Sequence, residues 1–429
     1  MLKYTVQSEN VQPTPEALKS EPIQKPLAMP YPNPSFTPFQ SAPETLQNHL
    51  WNRILHYAMF IPELEADIYR KDVLRRLPLL LVSKAFNRLA LPYYYSFVRL
   101  KDSSATQKFL FVLLQHPTIG ARVRVIHGSL GRLQDPDTDP IPTILSLTTR
   151  LEQFHGYRQR FEHQFFWLHL ESPALAWSAF EAMARSSGVT LREFSQEVHA
   201  NDVVDPTVFE HLTQLTRLDW KCGRVKFDCG SEIVSYRGLN NLTDLRIWYL
   251  DPSFLTVLAS MQLPSLRRLT LSSSVENATE FLRSCGRTLW ELDLAHETVA
   301  SLDMNLFVLC PSLTFLSVYC DDGIGLKSLP SLKDFVRNND VHHCLQKVKF
   351  DLRYLQKTGI DVWDPVFGAL EPAHFPRLRE VHVECCVWPT TEREIAKSHW
   401  VRWAERFLKN GISMMDKNGK KWRARLGRA

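Results

Sequence analysis

Beyond Thr143 the apolar positions of this chain recur in one short phrase, apolar–x–x–apolar–x–apolar. It is written as Leu215, Leu218, Trp220; Leu242, Leu245, Ile247; Leu266, Leu269, Leu271; and Leu289, Leu292, Leu294. It returns as Leu313, Leu316, Val318; Leu345, Val348, Phe350; and Leu378, Val381, Val383. Leu191 with Phe194 and Leu151 with Phe154 are partial earlier copies. From Leu191 to Leu313 the copies stand roughly 23–27 residues apart, and the later spacing is about 32. Each phrase predicts a short strand whose first, fourth and sixth residues point inward, because side chains alternate along extended backbone. A single phrase would also fit an amphipathic helix, whereas near-regular spacing argues that each strand pairs with the next and a return segment covers the buried side.

That period lies within the leucine-rich-repeat range, and the shared lead-ins Leu263-Pro264-Ser265-Leu266, Cys310-Pro311-Ser312-Leu313 and Phe375-Pro376-Arg377-Leu378 support it. The expected fold is α/β, an irregular leucine-rich-repeat solenoid bent into an arc or horseshoe, with another helical or α/β array as the alternative. Regular repeats carry Asn or Cys at the ninth position, but here it holds Gly223, Leu250, Ser274, Glu297, Asp321, Arg353 and Cys386. The turns must then be satisfied by backbone bonds or water.

Upstream the pattern changes. Nine prolines between Pro13 and Pro43 disfavour both helix and sheet, so residues 1–43 read as a disordered leader. From Glu44, Leu46, Leu50, Ile54, Leu55 and Ala58 fall on one helical face. After the charged interval Glu63–Arg76 comes a second apolar helix around Leu80, Val82, Phe86 and Leu89, which Pro92 should end. Tyr93–Leu100 then reads as an aromatic, strand-like exit. Residues 44–100 thus form one segment, 101–390 the repeats, with 101–188 either atypical first repeats or a helical insert.

The stretch Val82-Ser83-Lys84-Ala85-Phe86-Asn87-Arg88-Leu89 resembles the second half of the F-box motif. The first half departs from the family: Gln47 stands where proline is usual and His49 where an acid is common. The match covers about an eighth of the chain. What the resemblance implies is docking of Leu46, Leu50, Ile54, Leu80, Val82, Phe86 and Leu89 on a Skp-family adaptor of a cullin complex.

At the other end, Thr391–Leu408 reads as an amphipathic helix with Trp400, Trp403, Ala404 and Phe407 on one face, stopped near Gly411. Residues 391–429 are expected to be a helix capping the array and a basic tail. The run from His399 to Arg425 is similar to the ending of many fungal F-box-like proteins.

Composition changes little. With 51 basic and 46 acidic residues, the net charge of +5 is small for 429 residues and does not single out nucleic acid or membrane. Met1–Asn10 is polar and mixed, so no signal peptide is expected, and no membrane-length apolar run is present. The eight cysteines form no C-x-x-C pair, which suits free thiols in a reducing cytoplasmic or nuclear setting. Phosphate-binding loops and nucleophile elbows are absent. His342-His343-Cys344 has no partner pair at zinc spacing and reads as a surface turn; Cys385 and Cys386 should face opposite sides of the last strand. No catalytic residue, metal or cofactor is expected.

The function these observations imply is recognition without catalysis. Through the F-box resemblance it is substrate reception for a cullin-type ubiquitin ligase, holding an unknown target protein on the repeats. The alternatives are a repeat scaffold with no ubiquitin link and, more weakly, nucleic-acid binding by the basic tail. Target contacts should come from outward strand residues, above all Arg246, Trp248, Phe315 and Tyr319, because aromatics and arginine dominate binding hot spots.

Overall fold

The computed structural model describes residues 42–59, 76–100, 102–128, 139–156, 174–229, 237–271, 277–319, 341–351 and 363–423. The proline-rich leader up to residue 41 and the end of the basic tail lie outside these residues, as do Asp321, Asp322 and Arg353. The chain divides by contacts into residues Met1–Ile54 and Leu55–Ala429.

In the first unit the described residues form the beginning of α1 (Glu44–Met59). The Gln47 backbone donates to Pro43 O at 3.0 Å and its side-chain Nε2 to Ala42 O at 2.6 Å, which closes the first turn. Leu46 and Ile54 are exposed (47% and 49%) and Leu50 is half-buried. The single apolar face read from the sequence therefore splits: Leu55 is buried, Ala58 is exposed, and the unforeseen Met59 is buried.

The second unit opens with a small helical cluster. Leu80, in α2 (76–81), and Ala90, in α3 (Lys84–Tyr94), join Leu55 and Met59 in a core distinct from the main one, with Phe86, Leu89, Tyr93 and Tyr94 packed against it. Ser83 caps α3 by accepting from Phe86 N, and Asn87 Nδ2 donates to Leu80 O at 3.2 Å. Pro92 does not end the helix as expected; it sits inside α3, two residues before its end. A proline costs an interior hydrogen bond, but so near the C-terminus little of the ladder remains to be broken. The buried Arg76 guanidinium donates to Tyr94 O (2.7 Å), a carbonyl left open there, and joins Ser96 N and Oγ on Tyr93 O (3.1 Å).

Beyond this cluster the described residues form one sheet of thirteen strands with its return segments. Its order is β1 (Phe97–Leu100), β2 (Val125–Gly128), β3 (Gln153–Gly156), β5 (Glu193–Val204), β6 (Arg217–Phe227), β7 (Asp244–Leu250) and β8 (Arg268–Leu271). It continues through β9 (Glu291–Ala295), β10 (Phe315–Tyr319), β11 (Lys347–Asp351), β12 (Glu380–Val383) and β13 (Ser413–Met415), while β4 (Leu175–Ala176) pairs with β5 off this path. Neighbouring strands are parallel and follow sequence order, the arrangement of a leucine-rich-repeat solenoid. Every phrase position named above is buried, Trp220 completely. Among the described residues of the stretch 101–188, Val123 and Ile126, and Leu151 and Phe154, occupy the phrase positions at β2 and β3.

What holds successive turns together is a backbone device just before each strand. One carbonyl accepts two N–H groups from the next repeat: Thr216 O from Thr243 N (2.9 Å) and Asp244 N (3.1 Å), then Thr243 O from Arg267 N and Arg268 N, both at 3.0 Å. The same pair of bonds recurs from Ser96 O to Gln346 O. Hydroxyls reinforce it where threonine occupies the site, as in Thr243 Oγ1 to Thr216 O at 3.0 Å. Return segments vary from helices such as α7 (Pro252–Ser260) to 3-10 turns such as Pro206–His211, which accounts for the uneven period. Gly188 and Gly286, each ending a return segment, lie where a Cβ would come within 2.3–2.4 Å of a backbone carbonyl oxygen.

Three further expectations are corrected. His342 is buried, not on a surface turn: Nδ1 accepts from Leu345 N at 3.1 Å and Nε2 faces Cys310 O at 3.2 Å, so the ring links two repeats. Cys385 and Cys386 do not alternate across a strand; both lie in the turn after β12 and both are buried. The stretch 391–408 is two helices, α12 (Glu392–Lys397) and α13 (His399–Lys409), with Ser398 between them capping α13. Trp403, Ala404 and Phe407 are buried with Trp400 packed beside them, and Gly411 takes the left-handed conformation (φ 74°) beyond the helix. Beyond α13 the chain adds β13 to the sheet.

Candidate functional site

Strand alternation sends the phrase residues inward and lines up the remaining side chains in rows on the opposite face. The parallel register makes these rows explicit. The first runs Glu193, Arg217, Asp244, Arg268, Glu291, Phe315, Lys347, Glu380 across eight consecutive strands. Its charges alternate. Arg217 lies between Glu193 (4.0 Å) and Asp244 (3.7 Å), Arg268 meets Glu291 at 3.1 Å, and Glu380 takes Lys347 at 3.6 Å and Lys421 at 3.1 Å. Burial alone would raise the Glu380 carboxyl, but the bonds from Lys421 and Lys347 prevail and hold it below its ordinary range. Each such half-exposed pair contributes at most about 1 kcal/mol. Their effect is on the potential, since a row of matched charges presents no single-sign field.

The second row contains Asp219, Arg246, Thr270, Asp293, Ser317 and Lys349. Asp293 is pushed up by burial, against the opposing pull of Ser317, Lys349, Arg246 and Thr270. At the N-terminal end the row passes through His127 and His155, with ring centroids 5.0 Å apart. Burial, then the neighbouring charges of His155 and Arg99, lowers His127 to about 4.

The four outward residues expected to bind a target fall into two pairs. Arg246 and Trp248 are on β7; Phe315 and Tyr319 are on β10, three strands away and so roughly 14 Å across the sheet. All are half-buried and held in place. Arg246 Nε meets Asp244 Oδ1 at 3.3 Å, and Trp248 Nε1 donates to Asp219 Oδ1 at 2.8 Å. Lys347 Nζ lies 5.6 Å from the centroid of the Phe315 ring. Tyr319 donates its hydroxyl to Leu271 O at 2.8 Å, two strands back. It reaches over β9, where its register partner Ala295 is 1% exposed although it lies on the sheet's outward row. A larger residue at Ala295 would block that reach, a coupling visible only once the register is known.

The residues expected to dock an adaptor also divide. Leu80 is buried, Phe86 and Leu89 are half-buried against the small core, and Val82 is 60% exposed. Sequence reasoning missed Leu77 and Leu81, exposed at 47% and 76% on α2. Their helical spacing, i and i+4, was the available signal.

Among the described residues no three His, Cys, Asp or Glu side chains group as metal ligands would, and no helix is long and apolar enough to cross a membrane. Burial pushes the Cys310 and Cys385 thiols up to about 12, and raises Cys285 and Cys386 as well, which leaves them poor nucleophiles.

No family model matches the chain, and no curated protein matches it. Among solved structures, the leucine-rich repeat-containing protein LegL7 from Legionella pneumophila is similar over 76% of this chain and 85% of its own, at 14% identity and a TM-score of 0.34.

Proposed function

We propose that this protein is a non-enzymatic recognition scaffold that presents the outward face of its repeat sheet to a partner protein. The observation carrying this reading is the row structure of that face: aromatics anchored by hydrogen bonds within alternating charges. Anchored aromatics lose little freedom on binding, and mixed charge favours a protein over a polyanion such as nucleic acid. Trp248 with Arg246, and Phe315 with Lys347, are the proposed contacts; Tyr319 shapes the surface between them. Proximity labelling from the full chain, compared with a Trp248→Ala/Phe315→Ala variant, tests this. Partners retained at equal yield by a folded variant would move the site elsewhere.

The finer reading is substrate reception in a cullin-type ubiquitin ligase, with α2 and α3 docking a Skp-family adaptor. Exposed Leu77, Leu81 and Val82 support it, because a compact apolar patch on a helix end is suited to a partner helix. Catalysis would then be proximity supplied by the assembly. A scaffold with no ubiquitin link is favoured instead by the engagement of Leu80, Phe86 and Leu89 with their own core. Co-purification with a Skp-family adaptor separates the two. Capture that Leu81→Glu/Val82→Glu abolishes supports docking; no capture by the folded parent leaves the scaffold reading.

A further inference from the structure

The C-terminal end of the array carries a groove that the sheet-face reading does not use. It is open-sided, about 600 Å³, and lies between the loop after β12 and helix α12. Val387, Trp388 and Pro389 line one side, with Arg393 and Lys397 from α12 on the other. Val387 is 53% exposed.

The charge around this groove is net positive. Arg393 and Lys397 stand at i and i+4 on the same helix, a like-charge spacing that destabilises it, and no acid among the described residues pairs with either. Glu394 also lines the groove, but its carboxylate accepts from Thr391 N in a capping box at the helix start. The final turn adds more cations. Trp388 Nε1 donates to Lys420 O at 2.7 Å and its ring lies 5.2 Å from that of Trp422, so residues 417–422 pack beside the groove wall. Lys417 and Lys420 are exposed and likewise unpaired among the described residues. Asp416, the nearby acid, is buried and accepts from Asn418 N and Lys420 N.

Thus an apolar wall faces an excess of cations over the single Glu394 carboxylate, in contrast to the matched rows of the sheet. We propose that this groove binds a short extended segment of a partner protein in which acidic residues alternate with apolar ones. Such a segment places apolar side chains on Val387 and Pro389 and carboxylates toward Arg393, Lys397 and Lys420. A nucleic acid fits less well: the open aromatic platforms used to stack bases are missing, because the Trp388 ring is buried and packed on Trp422.

The test is fluorescence anisotropy of the full chain with a labelled peptide alternating glutamate and leucine. Saturable binding is expected, weakened about tenfold or more by Arg393→Glu/Lys397→Glu and also by Val387→Asp. A control pair with the same charge change at distant exposed sites, Lys108→Glu/Arg287→Glu, should leave binding within about twofold. Circular dichroism checks that all variants fold. Equal weakening by the control pair, or no loss with Val387→Asp, overturns the groove as the site. A single-stranded oligonucleotide that displaces the peptide and binds more tightly overturns the peptide assignment.

Discussion

Replacing Arg76 with methionine should unlock the small helical cluster while leaving the repeat array intact. The side chain is buried, 5% exposed, and makes two bonds to the carbonyls that end α3, at 2.7 and 3.1 Å. Its guanidinium also lies 5.2 Å from the Tyr94 ring centroid. Burial lowers its pKa, partly countered by Tyr94, so holding the cation there already costs solvation. Methionine recovers that cost and fills much of the volume, but leaves Tyr94 O without a donor, whereas Tyr93 O keeps Ser96 N (3.3 Å) and Ser96 Oγ (2.6 Å). Each lost charge-assisted bond is worth about 1.5–3 kcal/mol, and the helix dipole adds about 0.3–1 kcal/mol. Recovered desolvation, the donors that Tyr93 O keeps and water reaching half-buried Tyr94 offset part of this, leaving a net loss of about 1–3 kcal/mol. The cluster rests on Leu55, Met59, Leu80 and Ala90, separate from the main core, so the loss should be local. Native-state hydrogen exchange is the assay: protection across 84–95 should fall roughly fivefold or more, with β6 to β10 unchanged. Arg76→Lys, which keeps the charge but loses the fork, should fall between. Equal loss of protection in the array, or parental protection in Arg76→Met, would refute the idea of an independent cluster held by this residue.

Three further outcomes follow. Trp220 is fully buried with its indole N–H unbonded, so Trp220→Phe should cost no more than about 2 kcal/mol in urea unfolding against about 3–5 kcal/mol for Trp220→Ala; equal costs would contradict the penalty assigned to that N–H. His342 can accept from Leu345 N only when neutral, and burial, partly opposed by its bond to Cys310 O, holds its pKa below the ordinary 6.5. Its contribution is therefore complete above that value and is lost as pH falls below it, so the melting temperature should drop with acid more steeply than in His342→Asn; parallel curves would exclude His342 as the cause. Tyr319→Phe, which removes the bond to Leu271 O, should cost about 1 kcal/mol, and in the Ala295→Val background the same change should cost almost nothing; full additivity would deny that Tyr319 crosses β9.

The sheet was legible in the sequence because inward positions repeat the same physical demand. Leu245, Leu269 and Leu292 must each fill the same layer, and period-2 alternation fixes which residues they are. Tyr93–Leu100 read as strand-like but not as a repeat, and β2 went unread, because β1 and β2 meet that demand chiefly with Tyr95, Val98, Val123 and Ile126, which do not spell leucine. The docking segment was harder to read, since helical spacing says which residues share a face but not which of two faces is covered. Leu80 and Val82, two residues apart, end up buried and exposed. His342 was opaque for a different reason: its role is that of a turn acceptor, and only the register with Cys310 reveals it.

The backbone ladder connects these observations to recognition. Because carbonyls such as Thr216 O and Arg267 O serve the next repeat directly, no side chain at the strand entrance is obligatory. That position is free to vary, and does: Arg124, Glu152, Arg192, Thr216, Arg267, Trp290 and Gln346 all occupy it. The same freedom extends to the outward rows, whose residues answer to their cross-strand neighbours and not to the core. Glu193 calls for Arg217, and Arg217 for Asp244, but either sign could begin the series. A fold held by backbone bonds and inward leucines therefore leaves its outer face free to specialise. Departures from the alternating pattern, Phe315 in a row of charges and Ala295 beneath Tyr319, are then the positions where a partner's shape would be written.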